Sequence, residues 1–118
     1  MTRKFDLEER TETFATNVRD VVKRLSKGLT NLEYSRQLVR ASGSVGANYI
    51  EANEALSKKD FLMRIRISRK EAKESRYWLQ LMIPDDGQAE EQKRLIQEAT
   101  ELLLIFSAIL KKTQGSER

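Results

Sequence analysis

Four stretches of the chain carry apolar or small residues at alternating steps of three and four positions, and this spacing limits the fold more than any other feature. Such steps place all members of a set on one face of a helix. The sets are Leu7, Thr11, Phe14, Val18, Val21 and Leu25; Leu38, Ser42, Val45, Tyr49, Ala52 and Leu56; Phe61, Ile65, Ser68, Ala72, Ser75, Leu79 and Met82; and Leu95, Ala99, Leu102, Phe106 and Ile109. The spacing predicts four amphipathic helices.

The segments between these stretches contain residues that end and begin helices. Gly28 predicts a left-handed end to the first helix, and Thr30-Asn31-Leu32-Glu33 predicts a capping box at the start of the second. Ser57 is the predicted N-cap of the third helix. Pro84-Asp85-Asp86-Gly87 separates the third helix from the fourth, and one of its aspartates is the predicted cap of the fourth.

These boundaries predict a single all-α domain over residues 1–118. Helices of about 20 residues rise about 30 Å, and because short loops join them, successive helices are expected to run antiparallel. The predicted fold is an antiparallel up-down-up-down four-helix bundle. Its helices are expected at about 7–27, 31–56, 58–83 and 87–112.

The chain contains no histidine and no cysteine. This excludes imidazole and thiolate catalysis and the zinc sites built on those ligands. Asn48, Glu51 and Glu74 lie near the core stripes, but a di-iron carboxylate bundle needs Glu-x-x-His pairs. No pairing of a nucleophile with a base and no Gly-rich cofactor loop is evident. We therefore predict a protein that is not an enzyme and has no cofactor or metal.

The sequence also lacks the features of a membrane or secreted protein. Its longest apolar stretch, Leu102 to Leu110, is far shorter than the ~20 residues of a membrane-spanning helix. The N-terminus, Met1 to Asp6, has no apolar core of a signal peptide. We predict a cytoplasmic protein without membrane association.

The middle of the second helix contains Gly43 and Gly46. A glycine inside a helix costs about 1 kcal/mol relative to alanine, and close packing against a neighbouring helix is the predicted compensation. The Gly-Ser-Val-Gly run also matches the loop of a KH domain and has the glycine content of a phosphate loop. Both of those loops need neighbouring strands, so close packing is the favoured interpretation.

Two stretches resemble a known family. They run from Arg40 to Ala52 and from Asp60 to Leu79, and they are similar to bacterial four-helix bundle proteins encoded in intervening sequences of large-subunit rRNA genes. The resemblance implies a bundle that assembles into a five-membered ring and has a link to nucleic acid. The architecture is also similar to that of the accessory protein of diversity-generating retroelements, which works beside a reverse transcriptase and RNA.

Charge is segregated on the third helix. Between Lys58 and Arg76 there are eight basic and three acidic residues, and this surplus of five exceeds the +4 net charge of the whole chain. A row of arginines and lysines on one flank suits a phosphate backbone. The alternative is a flank that is solvated or paired with acids of the fourth helix, namely Glu90, Glu91, Glu98 and Glu101. The candidate nucleic-acid-binding residues are Lys59, Arg66, Arg69, Lys70, Lys73 and Arg76.

Polar residues near the core stripes predict a structural network of Arg40, Asn48, Glu51 and Glu74. Glu51 and Glu74 are expected to pair with Arg40 or Arg76 and to accept hydrogen bonds from tyrosine hydroxyls, because a buried acid needs such partners.

Apolar residues that point away from the core predict an oligomer. Leu104, Ile105 and Ala108 lie off the main apolar arc of the fourth helix, and Ile67 and Trp78 lie off the core of the third. Exposed apolar patches mark interfaces, so we predict a homo-oligomer, with a pentamer implied by the resemblance.

Two functions remain open on the sequence. One is an oligomer that binds RNA or DNA without strong sequence preference through the third helix. The other is a protein-binding scaffold, such as an accessory subunit of a reverse transcriptase, in which the same helix meets an acidic partner. Only the first predicts steep salt dependence of binding to plain oligonucleotides.

Overall fold

Four α-helices make up most of residues 6–115, the part of the chain that the structure, a computed structural model, describes. They are α1 (Leu7–Arg24), α2 (Leu29–Asn53), α3 (Lys58–Leu81) and α4 (Ala89–Gly115). No strand occurs in this range, and the predicted all-α class is confirmed. The predicted domain limits, residues 1 and 118, lie outside the described residues. The same is true of most of the N-terminal stretch for which we predict no signal peptide.

The helices form a bundle in which each helix packs against two others. Contacts join α1 to α2, α2 to α3, α3 to α4 and α4 to α1, and they are most extensive between α2 and α3. Residues 25–28 and 54–57 link the first three helices. Such a link spans at most about 18 Å, whereas α2 is about 37 Å long, so these neighbours run antiparallel. Ser26 N donates to Asp85 Oδ2 at 2.8 Å, so the first and third connections meet at one end.

The predicted stripes supply the core. The largest fully buried side chains include Phe14 on α1, Leu38 on α2, Ile65 on α3 and Phe106 on α4. Leu56 is the exception in the second stripe, because α2 ends at Asn53 and leaves the Leu56 side chain fully exposed.

The predicted start of the second helix is wrong. Gly28 is the N-cap of α2 in an extended conformation, with φ −89°, and not a left-handed stop, and no side chain caps this end. The expected capping box does not form, because Thr30 already lies inside the helix. The Asn31 amide instead accepts from Ile83 N and donates to Ile83 O, both at 3.0 Å. This pair of bonds ties the start of α2 to the connection between α3 and α4.

The third helix begins as predicted, whereas the fourth does not. Ser57 Oγ accepts from Asp60 N at 3.0 Å, so the predicted N-cap of α3 is confirmed. The left-handed residue of the last connection is Gly87, with φ 86°. The Asp85 carboxylate accepts from Ser26 N instead of capping α4, and the helix begins at Ala89, later than expected.

Close packing explains one of the two glycines of α2. A Cβ atom added to Gly46 would lie 2.7 Å from Thr11 Oγ1 and 3.1 Å from Thr11 Cβ. The Thr11 hydroxyl cannot easily turn away, because it donates to Leu7 O at 2.7 Å. A Cβ added to Gly43 would meet nothing within 4 Å. The predicted packing role therefore holds for Gly46 and is wrong for Gly43 within this chain.

A cluster of charges joins α1 to α4, the neighbouring helices that pack least extensively. Arg10 donates to both carboxylate oxygens of Glu98 at 2.7 and 2.8 Å and to Glu101 at 2.8 Å. Hydrogen bonds to Glu98 raise the pKa of Arg10 above its ordinary value. A bidentate arginine–carboxylate pair fixes both distance and orientation, so it sets the register of α1 against α4.

We expect alanine to have opposite effects at the two glycines. Gly43→Ala should raise the free energy of unfolding by about 1 kcal/mol, because it improves helix propensity at an open site. Gly46→Ala should lower it by about 1–3 kcal/mol, because the added methyl group collides with Thr11. Urea denaturation of both variants tests this.

The clash at Gly46 has its own control. Adding Thr11→Ala to Gly46→Ala removes Thr11 Oγ1, the nearest atom in the way, and leaves Thr11 Cβ in place, so it should recover part of the lost stability. Equal stability of Gly43→Ala and Gly46→Ala would contradict the assigned role of Gly46.

Candidate nucleic-acid interface

The two sides of α3 face different helices. One side packs on α2, where Ser68 Oγ donates to Val45 O at 2.9 Å. The other side meets α4, where Arg76 Nη1 donates to Thr100 Oγ1 at 3.3 Å. At 100° per residue, the candidate cations lie from the α4 side to the outer face, away from α2.

The candidate cations are accessible. Arg69 and Arg76 are half-buried, and the other four are exposed: Lys59, Arg66, Lys70 and Lys73. Among residues 6–115, none of the six forms an ion pair with an acidic side chain. We call this surface the basic flank. Within that range its cations are not neutralised by ion pairs, although Arg76 donates to Thr100 and the charge of Lys70 helps to lower the pKa of Glu74.

The acids of α4 do not neutralise the basic flank. Glu98 and Glu101 pair with Arg10, Glu91 with Arg94 at 2.8 Å, and Glu90 with Lys93 at 3.7 Å. The alternative in which these acids pair with α3 is therefore wrong. The reason is the rotation of α4: it turns Glu98 and Glu101 towards α1, and the side that meets α3 carries hydroxyls such as Thr100.

A groove of about 540 Å³ lies between α3 and α4 beside the basic flank. Arg66 and Arg69 line it from α3, and Ser107, Lys111 and Gln114 line it from α4. The sequence analysis missed the α4 residues. The sequence signal that could have identified them is the basic pair Lys111-Lys112 near the end of the fourth helix. Because α4 runs antiparallel to α3, the end of α4 lies beside the start of α3.

Other kinds of site are not seen in the described chain. Within residues 6–115, no group of three or more side chains of metal-binding type lies close enough together to hold a metal ion. None of the four helices there combines the length and the hydropathy needed to cross a bilayer.

The predicted polar network forms between α2 and α3 around Glu74. The Arg40 guanidinium donates to Glu74 Oε2, and the Trp78 indole donates to the same oxygen at 3.1 Å. These hydrogen bonds lower the pKa of Glu74, and the bond from Trp78 has the largest effect. Burial acts in the opposite direction. Arg40 also reaches Glu71 at 3.5 Å. Glu71 is buried, and the sequence analysis did not include it.

The other two predicted members behave differently. Asn48 accepts from Arg64 Nη1 at 3.0 Å and donates to Ser44 O at 3.0 Å, so it forms a second link between α2 and α3. Glu51 is exposed, and no hydrogen bond or ion pair of the described residues uses its side chain. Its predicted pairing is therefore wrong, because the rotation of α2 turns position 51 into solvent.

The candidate oligomer residues lie on two separate surfaces. Leu104 is 61% exposed and Ala108 is also exposed on the outer face of α4. Ile105 and Trp78 are less free than predicted, since both pack partly against the core. Ile67 is half-buried on the α2 side of α3, the same side as Trp78. The fold does not bring the α3 and α4 residues together.

We expect Glu74→Gln to lower the free energy of unfolding by about 1 kcal/mol at pH 7, because it removes a charge-assisted pair that is partly exposed. The folded pKa of Glu74 is depressed, so its contribution is present above the unfolded pKa of about 4.3 and is lost as the pH falls through the lower folded value. The difference from wild type should therefore shrink in acid.

Urea denaturation followed by the fluorescence of Trp78, the one tryptophan of the chain, measures this at several pH values. Glu51→Gln is the matched control and should leave stability unchanged. A Glu74→Gln deficit that persists unchanged in acid would contradict the assigned role of the carboxylate.

Most of the chain is similar to proteins of one family. The family model for the 23S rRNA-intervening sequence protein matches residues 3–108 of this chain. A crystal structure of a protein of unknown function from the S23 ribosomal protein family of Bacteroides thetaiotaomicron has a similar fold, with a TM-score of 0.76 and 28% sequence identity. The similarity covers 88% of this chain and 97% of that one. No curated protein matches. The resemblance found in the second and third helices is confirmed, and the chain belongs to the 23S rRNA-intervening sequence protein family.

Proposed function

We propose that this protein is a non-enzymatic, cytoplasmic homo-oligomer that binds the phosphate backbone of RNA or DNA through the basic flank of α3. The observation that carries the proposal is that, among residues 6–115, the cations of the flank form no ion pair with an acidic side chain. The reference to 23S rRNA in the family description is consistent with a nucleic-acid ligand.

Unpaired surface cations suit a polyanion for an energetic reason. An exposed lysine or arginine is well solvated, and a single surface ion pair contributes only about 0–1 kcal/mol. A nucleic acid holds condensed counterions, and each phosphate that meets a cation releases them. A row of cations thus gains more binding free energy from a polyanion than from isolated carboxylates.

The groove between α3 and α4 adds a second set of groups that can hold a backbone. Arg66 and Arg69 approach it from one helix and Lys111 from the other, and Ser107 and Gln114 add neutral hydrogen-bonding groups. Arginine can donate two parallel hydrogen bonds to one phosphate. Charges from two helices hold a phosphate in place better than charges from one.

The separate apolar surfaces support a ring. A contact between different surfaces of neighbouring copies is head-to-tail, and such contacts close into rings when the rotation allows it. Leu104 and Ala108 on one copy and the Ile67–Trp78 side of the next are the proposed contact, and five copies are the proposed number. Repetition of the basic flank around a ring raises the effective concentration of weak sites.

We expect the triple variant Arg66→Gln, Arg69→Gln, Lys73→Gln to weaken binding to oligonucleotides and to flatten its salt dependence. The slope of log affinity against log salt should fall by about 1 for each phosphate that the variant no longer neutralises. Fluorescence anisotropy of labelled RNA and DNA over a salt series measures both effects.

A matched control removes the same charge elsewhere. The variant Lys23→Gln, Arg24→Gln, Lys27→Gln changes three exposed cations at the end of α1 and in the connection that follows it, and it should bind nearly as wild type. An equal loss of affinity in both variants would show that binding depends on the total charge of the protein and not on the basic flank. No binding by the wild type near physiological salt would overturn the proposal and favour an acidic protein partner.

We expect the wild type to have a mass in light scattering of several times the 13.7 kDa chain, with five times as the proposed value. Leu104→Glu should lower this mass, because a charge in an apolar contact is costly. Leu32→Glu on α2, where the residue is also exposed, is the control. A monomeric wild type at micromolar concentration would refute the oligomer.

A further inference from the structure

An exposed aromatic ring continues the row of cations on α3. Arg66, Lys70, Lys73 and Tyr77 follow one another at steps of four, three and four, so they form a single stripe along the helix. All four are exposed. The three cations span about 10 Å of the helix axis, and Tyr77 lies about 6 Å further on. A strand that follows the cations would therefore reach the ring.

The Tyr77 ring is both open and held in place. Tyr77 is 54% exposed, and its ring meets Trp78 edge to face, with centroids 5.1 Å apart and planes at 66°. Trp78 is fixed in turn, because its indole donates to Glu74 and its ring lies 6.0 Å from Tyr34. A ring supported in this way loses little freedom when a ligand stacks on it.

Arg40 gives this support a link to the polar network. Its guanidinium is bonded to Glu74, the same carboxylate that holds the Trp78 indole. Arg40, Glu74, Trp78 and Tyr77 thus form a continuous chain of contacts from α2 to the outer face of α3. The polar network orients an aromatic surface at the end of the cation stripe.

We infer that Tyr77 is a base-stacking platform and that the ligand of the basic flank is a single-stranded nucleic acid. This inference rests on the proposed function, and it names the ligand class of the same site. Proteins that bind single strands combine a cationic track with aromatic rings on which bases stack. The arrangement of Arg66, Lys70, Lys73 and Tyr77 has both parts.

The ring distinguishes single strands from duplexes. In a duplex the base faces are stacked on one another and cannot reach Tyr77, whereas an unpaired base can be splayed out onto an aromatic side chain. The cations contact phosphates in either case. Tyr77 therefore adds affinity for single strands and adds nothing for duplexes.

The test compares two single-stranded DNA ligands of equal length, oligothymidylate and its abasic counterpart, which carry the same phosphates. Three forms of the full chain are compared: the wild type, Tyr77→Leu and Tyr77→Phe. The affinity of each form for each strand is measured by fluorescence anisotropy. Leucine keeps an apolar side chain and removes the aromatic face, and phenylalanine keeps the ring. We expect wild type and Tyr77→Phe to bind oligothymidylate about tenfold more tightly than the abasic strand.

In Tyr77→Leu that preference should disappear while binding to the abasic strand stays as in wild type. Circular dichroism of each variant confirms that the helices are intact. Equal affinity of the wild type for both strands would overturn the stacking role and leave backbone binding standing. A preference that survives in Tyr77→Leu would also overturn it. Failure of the wild type to bind either strand would overturn both the inference and the proposed function.

Discussion

The close approach of α2 to both neighbours is the constraint on which the rest of this bundle depends. On one side Gly46 leaves room for Thr11, with no space for a methyl group. On the other side the buried Ser68 hydroxyl bonds directly to the backbone oxygen of Val45. Small residues allow these short distances, and the hydrogen bond fixes the rotation of α3. That rotation decides which residues of α3 face α2 and which face outward.

The distribution of acids follows from this geometry. Arg40 holds Glu71 and Glu74 at the junction of α2 and α3, and Arg10 holds Glu98 and Glu101 at the junction of α1 and α4. Glu98 and Glu101 thus join α4 to α1, and Glu90 and Glu91 pair with Lys93 and Arg94 within α4, so none of these acids neutralises the basic flank. No buried side-chain nitrogen or oxygen within residues 6–115 lacks a hydrogen-bond partner. The stability of the bundle and the availability of the flank therefore have the same origin.

Structure and proposed ligand binding also meet at Glu74. The carboxylate joins α2 to α3 through Arg40 and orients Trp78, which supports the exposed Tyr77 ring. A residue that specifies the fold therefore also positions a surface proposed to bind a ligand. Such a surface gains affinity from rigidity, because less freedom is lost on binding. In the proposed ring of copies, the same rigid surface would recur at fixed spacing, which suits a long and flexible polymer.

The sequence by itself determined the four helices, the Ser57 cap, the core stripes and the charge surplus of α3, because these follow from the residue types and their local spacing. The tertiary structure decided the rest. The capping box predicted over residues 30–33 does not form, and the Asn31 amide bonds to the Ile83 backbone. Glu51 points into solvent, and Lys111 lies beside Arg66 and Arg69. These outcomes depend on which helices are adjacent and how each is rotated, and packing between residues far apart in sequence sets both. Whether a charge is free or paired is therefore a property of the fold and not of the local sequence.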